Sequence, residues 1–128
     1  MSVHIVRLGS PRAAGEGLRL GTVRRPPRGV AKSDYAKQNW YDVWFPNLAP
    51  SAATLALGRA ARSDRDWSLF LERYRAEMAQ PEHARMLDVL AALSHTADFA
   101  VGCYCADEAR CHRSALRALL AERGAMIE

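Results

Sequence analysis

The sequence lacks the long hydrophobic runs of a membrane protein. No stretch of about 18 consecutive apolar residues occurs, which argues against a membrane-spanning helix. The first residues also lack the long apolar stretch of a signal peptide. Cysteine is scarce, and the odd total of three is a poor basis for an exported disulfide framework. We therefore expect a cytoplasmic protein with reduced thiols and no membrane partner.

Lysine is almost absent, because Lys32 and Lys37 are the only lysines among 18 basic residues. The formal net charge is +4, and the basic excess lies in residues 1–40, where the only acidic residues are Glu16 and Asp34. Arginine binds carboxylate or phosphate groups as a planar fork, which lysine cannot do. The charge pattern leaves two interpretations open: a solvated basic face, or a surface that binds an anionic small molecule or a nucleic acid.

Length and periodicity together predict the architecture. A chain of 128 residues, 49% hydrophobic and 25% charged, suits one globular domain spanning residues 1–128. Strand patterns occur at 3–8, 18–24, 98–103 and 125–127. Helical patterns occur at 52–61, from Ser63 or Asp64 to Met78, from Pro81 to Leu93, and at 112–123. This order predicts an α/β fold whose mainly parallel sheet is covered by helices, in a Rossmann-like three-layer arrangement.

Residues 31–50 contain an aromatic cluster without clear periodicity. Proline interrupts the segment, so we expect it to be largely irregular. Packing into the core is the favoured role of its large side chains. The alternative is a nucleic-acid-binding module, in which Trp40, Tyr41 and Trp44 stack bases beside the basic residues of the first third.

The segment richest in chemically active side chains is 103–114. All three cysteines, Cys103, Cys105 and Cys111, lie there, where a strand ends and a helix begins. Ligands of open α/β sheets bind at the carboxyl ends of the strands, and a helix N-terminus adds free amides and positive potential. With His112 and Arg113 nearby, this field favours the thiolate form of Cys111, which makes it the first candidate for a reactive thiol.

A thiol-dependent enzyme is therefore one hypothesis. Its catalytic residues would be Cys111, His112, Arg113 and Cys103. Its substrate- or anion-binding residues would be Arg24, Arg25, Arg28 and Ser114. The segment from Cys111 to Arg117 has the Cys-x5-Arg spacing of thiol phosphatases. It contains no glycine, however, so the sequence predicts a helix there and not a phosphate-binding loop.

A zinc or iron site is the alternative. Its ligands would be Cys103, Cys105, Cys111 and His112. The cysteine spacing differs from that of zinc knuckles, and adjacent residues on a helix point about 100° apart, which separates Cys111 from His112. We therefore expect no cofactor, and a protein that is metal-free and stable to chelators. Cys103 alone also fits a small buried hydrophobic residue.

Four motifs carry a family resemblance between about Leu18 and Arg123. They are Pro27-Arg28-Gly29-Val30, Leu48-Ala49-Pro50-Ser51, the helix segment Phe70 to Met78, and Cys103 followed by Cys111-His112-Arg113-Ser114. On these motifs the chain resembles the domain-of-unknown-function 488 family, including its YeaO-like branch. The resemblance implies an α/β fold and a small cytoplasmic bacterial-type protein, and it implies no particular reaction.

The chain departs from that family pattern at two places. Val23-Arg24 stands where the YeaO-like pattern usually has Asp-Arg, and Pro26 stands where it has Trp. Members with Cys-His-Arg often carry glutamate two residues after the first cysteine, where this chain has Cys105. No acid–base role of that aspartate or glutamate therefore carries over to this chain.

Overall fold

Four parallel strands form the centre of the molecule. The computed structural model describes residues 1–128. The strands are β1 (Val3–Arg7), β2 (Leu18–Gly21), β3 (Val43–Trp44) and β4 (Phe99–Cys103). Their order across the sheet is β1-β4-β2-β3, and every neighbouring pair is parallel. The predicted α/β fold with a parallel sheet is confirmed.

Four helices follow the predicted pattern, and their starts show why they form. They are α1 (Ala52–Ala60), α2 (Asp64–Met78), α3 (Pro81–Leu93) and α4 (His112–Glu122). The Ser51 hydroxyl accepts a hydrogen bond from the Thr54 amide, and Ser63 caps α2 in the same way. Pro81 opens α3, where its missing N–H costs nothing. No helix is long and apolar enough to cross a membrane.

The two faces of the sheet are covered differently. One face packs Val3, Phe99 and Val101 into the main core with residues of α2, α3 and α4, such as Tyr74 and Leu116. These strand side chains share a face because successive residues of a strand point to opposite sides. Much of the other face is covered by non-helical chain on either side of β2, rather than by a helix.

Tyr41 belongs to the non-helical chain that covers this other face of the sheet, and it is only 2% exposed. Its ring lies directly over Gly21, where a side-chain Cβ would overlap it. The expectation of core packing therefore holds for Tyr41, which cannot stack a base. Trp44 is partly exposed, but its indole N–H donates to the Val23 carbonyl at 2.8 Å.

Three segments differ from the sequence prediction. The irregular segment 31–50 contains the strand β3, which at two residues is too short for an alternating pattern to be visible. The predicted last strand is only an isolated bridge between Ile127 and Val3. The predicted strand 18–24 ends at Gly21, after which the Thr22 amide and hydroxyl both donate to the Gly102 carbonyl.

A buried ion pair holds the non-helical chain over this face of the sheet in place. The guanidinium of Arg19, which is 0% exposed, donates to Glu16 at 2.9 Å, to the Ser10 carbonyl at 2.9 Å and to the Asn39 carbonyl at 2.7 Å. Burial alone would raise the pKa of Glu16, but hydrogen bonds from Arg19 and the Ala13 amide outweigh it and lower that pKa. One side chain therefore joins β2 to two loops.

Replacing Arg19 tests this role. Arg19→Met leaves Glu16 buried without its cation and leaves the Ser10 and Asn39 carbonyls without these donors. We expect the free energy of unfolding to fall by about 3–5 kcal/mol, the usual cost of breaking a buried pair. Urea denaturation followed by circular dichroism measures it. Arg73→Met, at an exposed position on α2, is the matched control; equal effects of the two variants would contradict the role.

Candidate functional site

The site begins where β4 ends. Cys103 is the last residue of β4, and Cys111 immediately precedes α4; each is 2% exposed. Their sulfur atoms are in contact, while Cys105 is free and exposed. The Cα atoms of the pair are 7.7 Å apart, which is longer than the 4.4–6.8 Å or so of ordinary disulfides. We therefore describe Cys103 and Cys111 as two facing thiols.

His112 is held in one protonation state and one tautomer. Its Nε2 lies 2.7 Å from the Thr22 carbonyl oxygen, which can only accept, so Nε2 carries the proton. Burial lowers the pKa of His112 to about 4, with a smaller contribution from the charge of Arg113, so the ring is neutral near pH 7. Nδ1 therefore presents a lone pair, and it lies 3.8 Å from the Cys111 sulfur.

The predicted divergence of Cys111 and His112 is wrong. Cys111 has extended backbone angles, φ −137° and ψ 153°, so it stands outside the helix that His112 begins. The angle of about 100° between successive helical residues does not apply to such a pair. Ligating atoms of Cys103, Cys111 and His112 consequently all lie within 4.8 Å of one another. Cys105, the fourth residue of the predicted metal set, is not part of this group.

A cavity of about 270 Å³ opens onto these three residues. Arginines line it, and no acidic residue does: Arg24, Arg25, Arg59 and Arg110. Arg24 is held by the Pro50 carbonyl at 2.9 Å, and Arg110 pairs with Asp64 at 2.9 Å. The guanidinium groups of Arg25 and Arg59 make no hydrogen bond or ion pair with the rest of the chain. The side chains that line the cavity therefore carry an excess of positive charge.

Arg28 lies in a second, larger cavity of about 790 Å³, not in the one that contains the cysteines. The two cavities share Arg25, Arg59 and Tyr104, so they adjoin. Of the predicted anion-binding residues, Arg24 and Arg25 therefore line the cavity that contains the thiols, and Arg28 lines only the adjoining one.

The remaining predicted residues line neither of the two cavities. Arg113 is buried and donates to the Cys105 carbonyl at 2.6 Å, while its Nε has no partner. Burial lowers the pKa of Arg113. The Ser114 hydroxyl donates to the Cys111 carbonyl at 3.0 Å. Arg117 binds Glu108 through two hydrogen bonds, and α4 includes every residue from His112 to Arg117, which confirms the helix predicted for this stretch.

Three contributors to the site carry no recognisable sequence signal. Thr22 acts through its backbone carbonyl, which any residue provides. Arg59 sits near the end of an Ala- and Leu-rich helix, and only the tertiary fold brings it to the cavity. Tyr104 lies between two predicted site residues, but its hydroxyl donates to the Arg25 carbonyl at 2.8 Å, a contact across 79 positions of sequence.

Comparison with protein families agrees with the sequence motifs. Residues 3–124 match the family model DUF488-N3a, described as the active DUF488-N3 subclade. The chain belongs to the DUF488 family. The match spans almost the whole chain and includes both facing cysteines, so the family is confirmed. No curated protein and no solved structure is significantly similar to it.

Titration of the buried histidine gives a test of the site. Between pH 4 and 6.5 the unfolded chain binds a proton at His112 that the folded chain does not, so stability rises with pH in this window. A depression from about 6.5 to about 4 corresponds to roughly 3 kcal/mol. We expect His112→Gln to reduce the slope of unfolding free energy against pH, measured by urea denaturation.

The control is His83→Gln, at a half-buried position on α3. The measured quantity is the slope of the unfolding free energy against pH. A general loss of stability lowers the unfolding free energy at every pH and leaves this slope unchanged. An unchanged slope in His112→Gln would show that this imidazole titrates as it does in the unfolded chain.

Proposed function

We propose that this DUF488 protein is a thiol-dependent enzyme that acts on an anionic substrate, with Cys111 as the attacking thiol. The observation that carries the proposal is the unprotonated Nδ1 of His112, 3.8 Å from the Cys111 sulfur at the edge of an arginine-lined cavity. Description of the matched family model as an active subclade supports catalysis.

Each residue predicted to be catalytic then has a stated part. His112 Nδ1 accepts a hydrogen bond from the Cys111 thiol and orients it, because the Thr22 carbonyl fixes the ring. Cys103 is the partner thiol. Cationic arginines around the cavity stabilise the thiolate and attract the anion, and Arg25 and Arg59 have their guanidinium groups free to bind it. Arg113 holds the backbone of Cys105 below the site.

Thiol labelling against pH tests the proposal. Reduced protein is treated with iodoacetamide at about pH 6 and about pH 8.5, and each cysteine is quantified by mass spectrometry. We expect Cys111 to keep a larger fraction of its high-pH rate at pH 6 than Cys103 or Cys105, because nearby cations favour its thiolate. Exposed Cys105 is the internal reference for reagent reactivity.

A matched pair of variants isolates the arginine field. Arg59→Gln removes a cavity cation and is expected to reduce the labelling of Cys111 at pH 6. Arg73→Gln removes the same charge from an exposed position on α2 and is expected to leave it unchanged. Labelling of Cys111 that is as slow as that of Cys103, relative to exposed Cys105, would assign both buried cysteines to packing and overturn the proposal.

A metal centre is the second candidate function. Three ligand atoms within 4.8 Å, with the imidazole fixed by a carbonyl, match the ligand number of a catalytic zinc site. Zinc or iron would then be held by Cys103, Cys111 and His112, and it would supply Lewis-acid chemistry beside the cavity. The first proposal instead has no resident metal.

Elemental analysis separates the two candidates. For the thiol enzyme we expect purified protein to carry well below one equivalent of zinc or iron, and its melting temperature to be unchanged by a chelator. About one equivalent per chain, lost with melting on chelation, would replace the thiol proposal with the metal one. Retention of the metal in Cys105→Ser would then identify the three-residue ligand set.

A further inference from the structure

A cleft rich in arginine leads to the thiol site. We call it the arginine cleft, and it is the larger of the two cavities described above. Its functional groups are the side chains of Arg7, Arg25, Arg28, Arg59, Trp40 and Tyr104. No acidic residue lines it, so four cations converge without a carboxylate among them. Like charges repel one another, and a bound polyanion would remove that cost.

Most of these cations are free to bind. Arg25, Arg28 and Arg59 are exposed, and none of their guanidinium groups makes a hydrogen bond or an ion pair within the chain. Arg7 makes a single bond, from Nε to the Tyr104 carbonyl at 3.3 Å, so its terminal nitrogens remain available. The cleft therefore offers several forked donors to phosphate oxygens.

Two aromatic rings form the wall of the cleft beside these cations. Trp40 and Tyr104 meet edge to face, with ring centroids 5.8 Å apart. Trp40 rests on Gly9, where a Cβ would lie 2.9 Å from the indole ring. The Tyr104 hydroxyl is fixed by the Arg25 carbonyl at 2.8 Å. Both rings are only half-buried, so each retains surface on which a planar group can stack.

From this juxtaposition we infer that the arginine cleft binds single-stranded nucleic acid, with phosphates on the arginines and a base against the Trp40–Tyr104 wall. A small anion would need one or two cations and no aromatic wall. Exposed Lys32 and Lys37, which make no ion pair, continue the basic character along the chain between Arg28 and Trp40. In duplex DNA the bases are stacked on one another, so no base face is free to stack on a protein ring. A single strand can place its phosphates on cationic side chains and stack its bases on aromatic ones.

The inference deepens the proposed function, on which it rests for the chemistry at Cys111. It makes the anionic substrate a single-stranded nucleic acid, delivered along the cleft to the neighbouring thiols through the shared Arg25, Arg59 and Tyr104. Binding is measured without turnover. A failure of thiol chemistry and a failure of nucleic-acid binding therefore give different results.

The experiment uses the full chain and a fluorescent oligothymidylate of roughly 10 nucleotides, within the usual range of single-strand sites. Anisotropy titrations at several salt concentrations give the dissociation constant and its salt slope. We expect each of Arg25→Gln, Arg28→Gln and Arg59→Gln to weaken binding and to reduce the slope by about 0.7. Arg73→Gln, outside the cleft, is expected to change neither quantity.

A second set of variants reports on stacking. Trp40→Leu is expected to weaken binding about tenfold with little change of salt slope, since base–aromatic stacking contributes about 1–3 kcal/mol. Trp40→Phe, which keeps a ring, is expected to lose less. A Trp40→Leu variant that binds like the original protein would overturn the aromatic part of the inference.

Four results would overturn the inference as a whole. Absence of saturable binding, or an equal loss of binding in Arg73→Gln, would reduce the cleft to a solvated basic surface. Equal affinity for thymidine monophosphate would identify a free nucleotide as the ligand. Equal affinity for a duplex of the same length would show that stacking on Trp40 and Tyr104 plays no part.

Discussion

The wall of the arginine cleft depends on one interaction, the buried ion pair between Arg19 and Glu16. The Arg19 guanidinium binds the carbonyls of Ser10 and Asn39, and the Asn39 carbonyl also accepts the Gly9 amide at 2.8 Å. Gly9 and Trp40, neighbours of these two carbonyls in sequence, are the pair that packs at the wall of the arginine cleft. A cation inside the fold thus helps to position the Trp40 ring of the cleft wall. Glu16 makes this possible by neutralising a charge that could not otherwise be buried.

The parallel sheet supplies the second constraint. Because β2 and β4 run in the same direction and pair Gly21 with Gly102, both strands end at the same edge. Thr22 therefore follows β2 close to where Cys103 ends β4, and α4 begins above both. In this arrangement His112 reaches the Thr22 carbonyl, and that bond sets the tautomer facing Cys111. The polarity of the sheet thus determines which nitrogen of His112 carries its proton.

Sequence reasoning located this edge because local signals mark it. A buried strand ending in cysteine, followed by a polar loop and an amphipathic helix, predicted where the thiols lie, and the helix caps at Ser51 and Ser63 were also readable. Two other features were not readable. Arg59 reaches the cavity through the packing of α1 against α2, and the contact of Cys111 with His112 depends on backbone angles at one residue. No periodicity encodes either, since the first arises when distant segments meet and the second is set by the extended backbone just before α4.

The electrostatics of the site support the thiol enzyme that we propose over the metal centre. Two thiolates and a neutral imidazole would balance the charge of a divalent cation, but that ion must enter through a cavity lined by four arginines and no acid. The same field repels a cation and attracts an anion, and it stabilises a lone thiolate directly. His112 fits this interpretation, because burial keeps it neutral and it adds no further positive charge. This lining therefore suits the negative charge of a thiolate and of the anionic substrate that we propose.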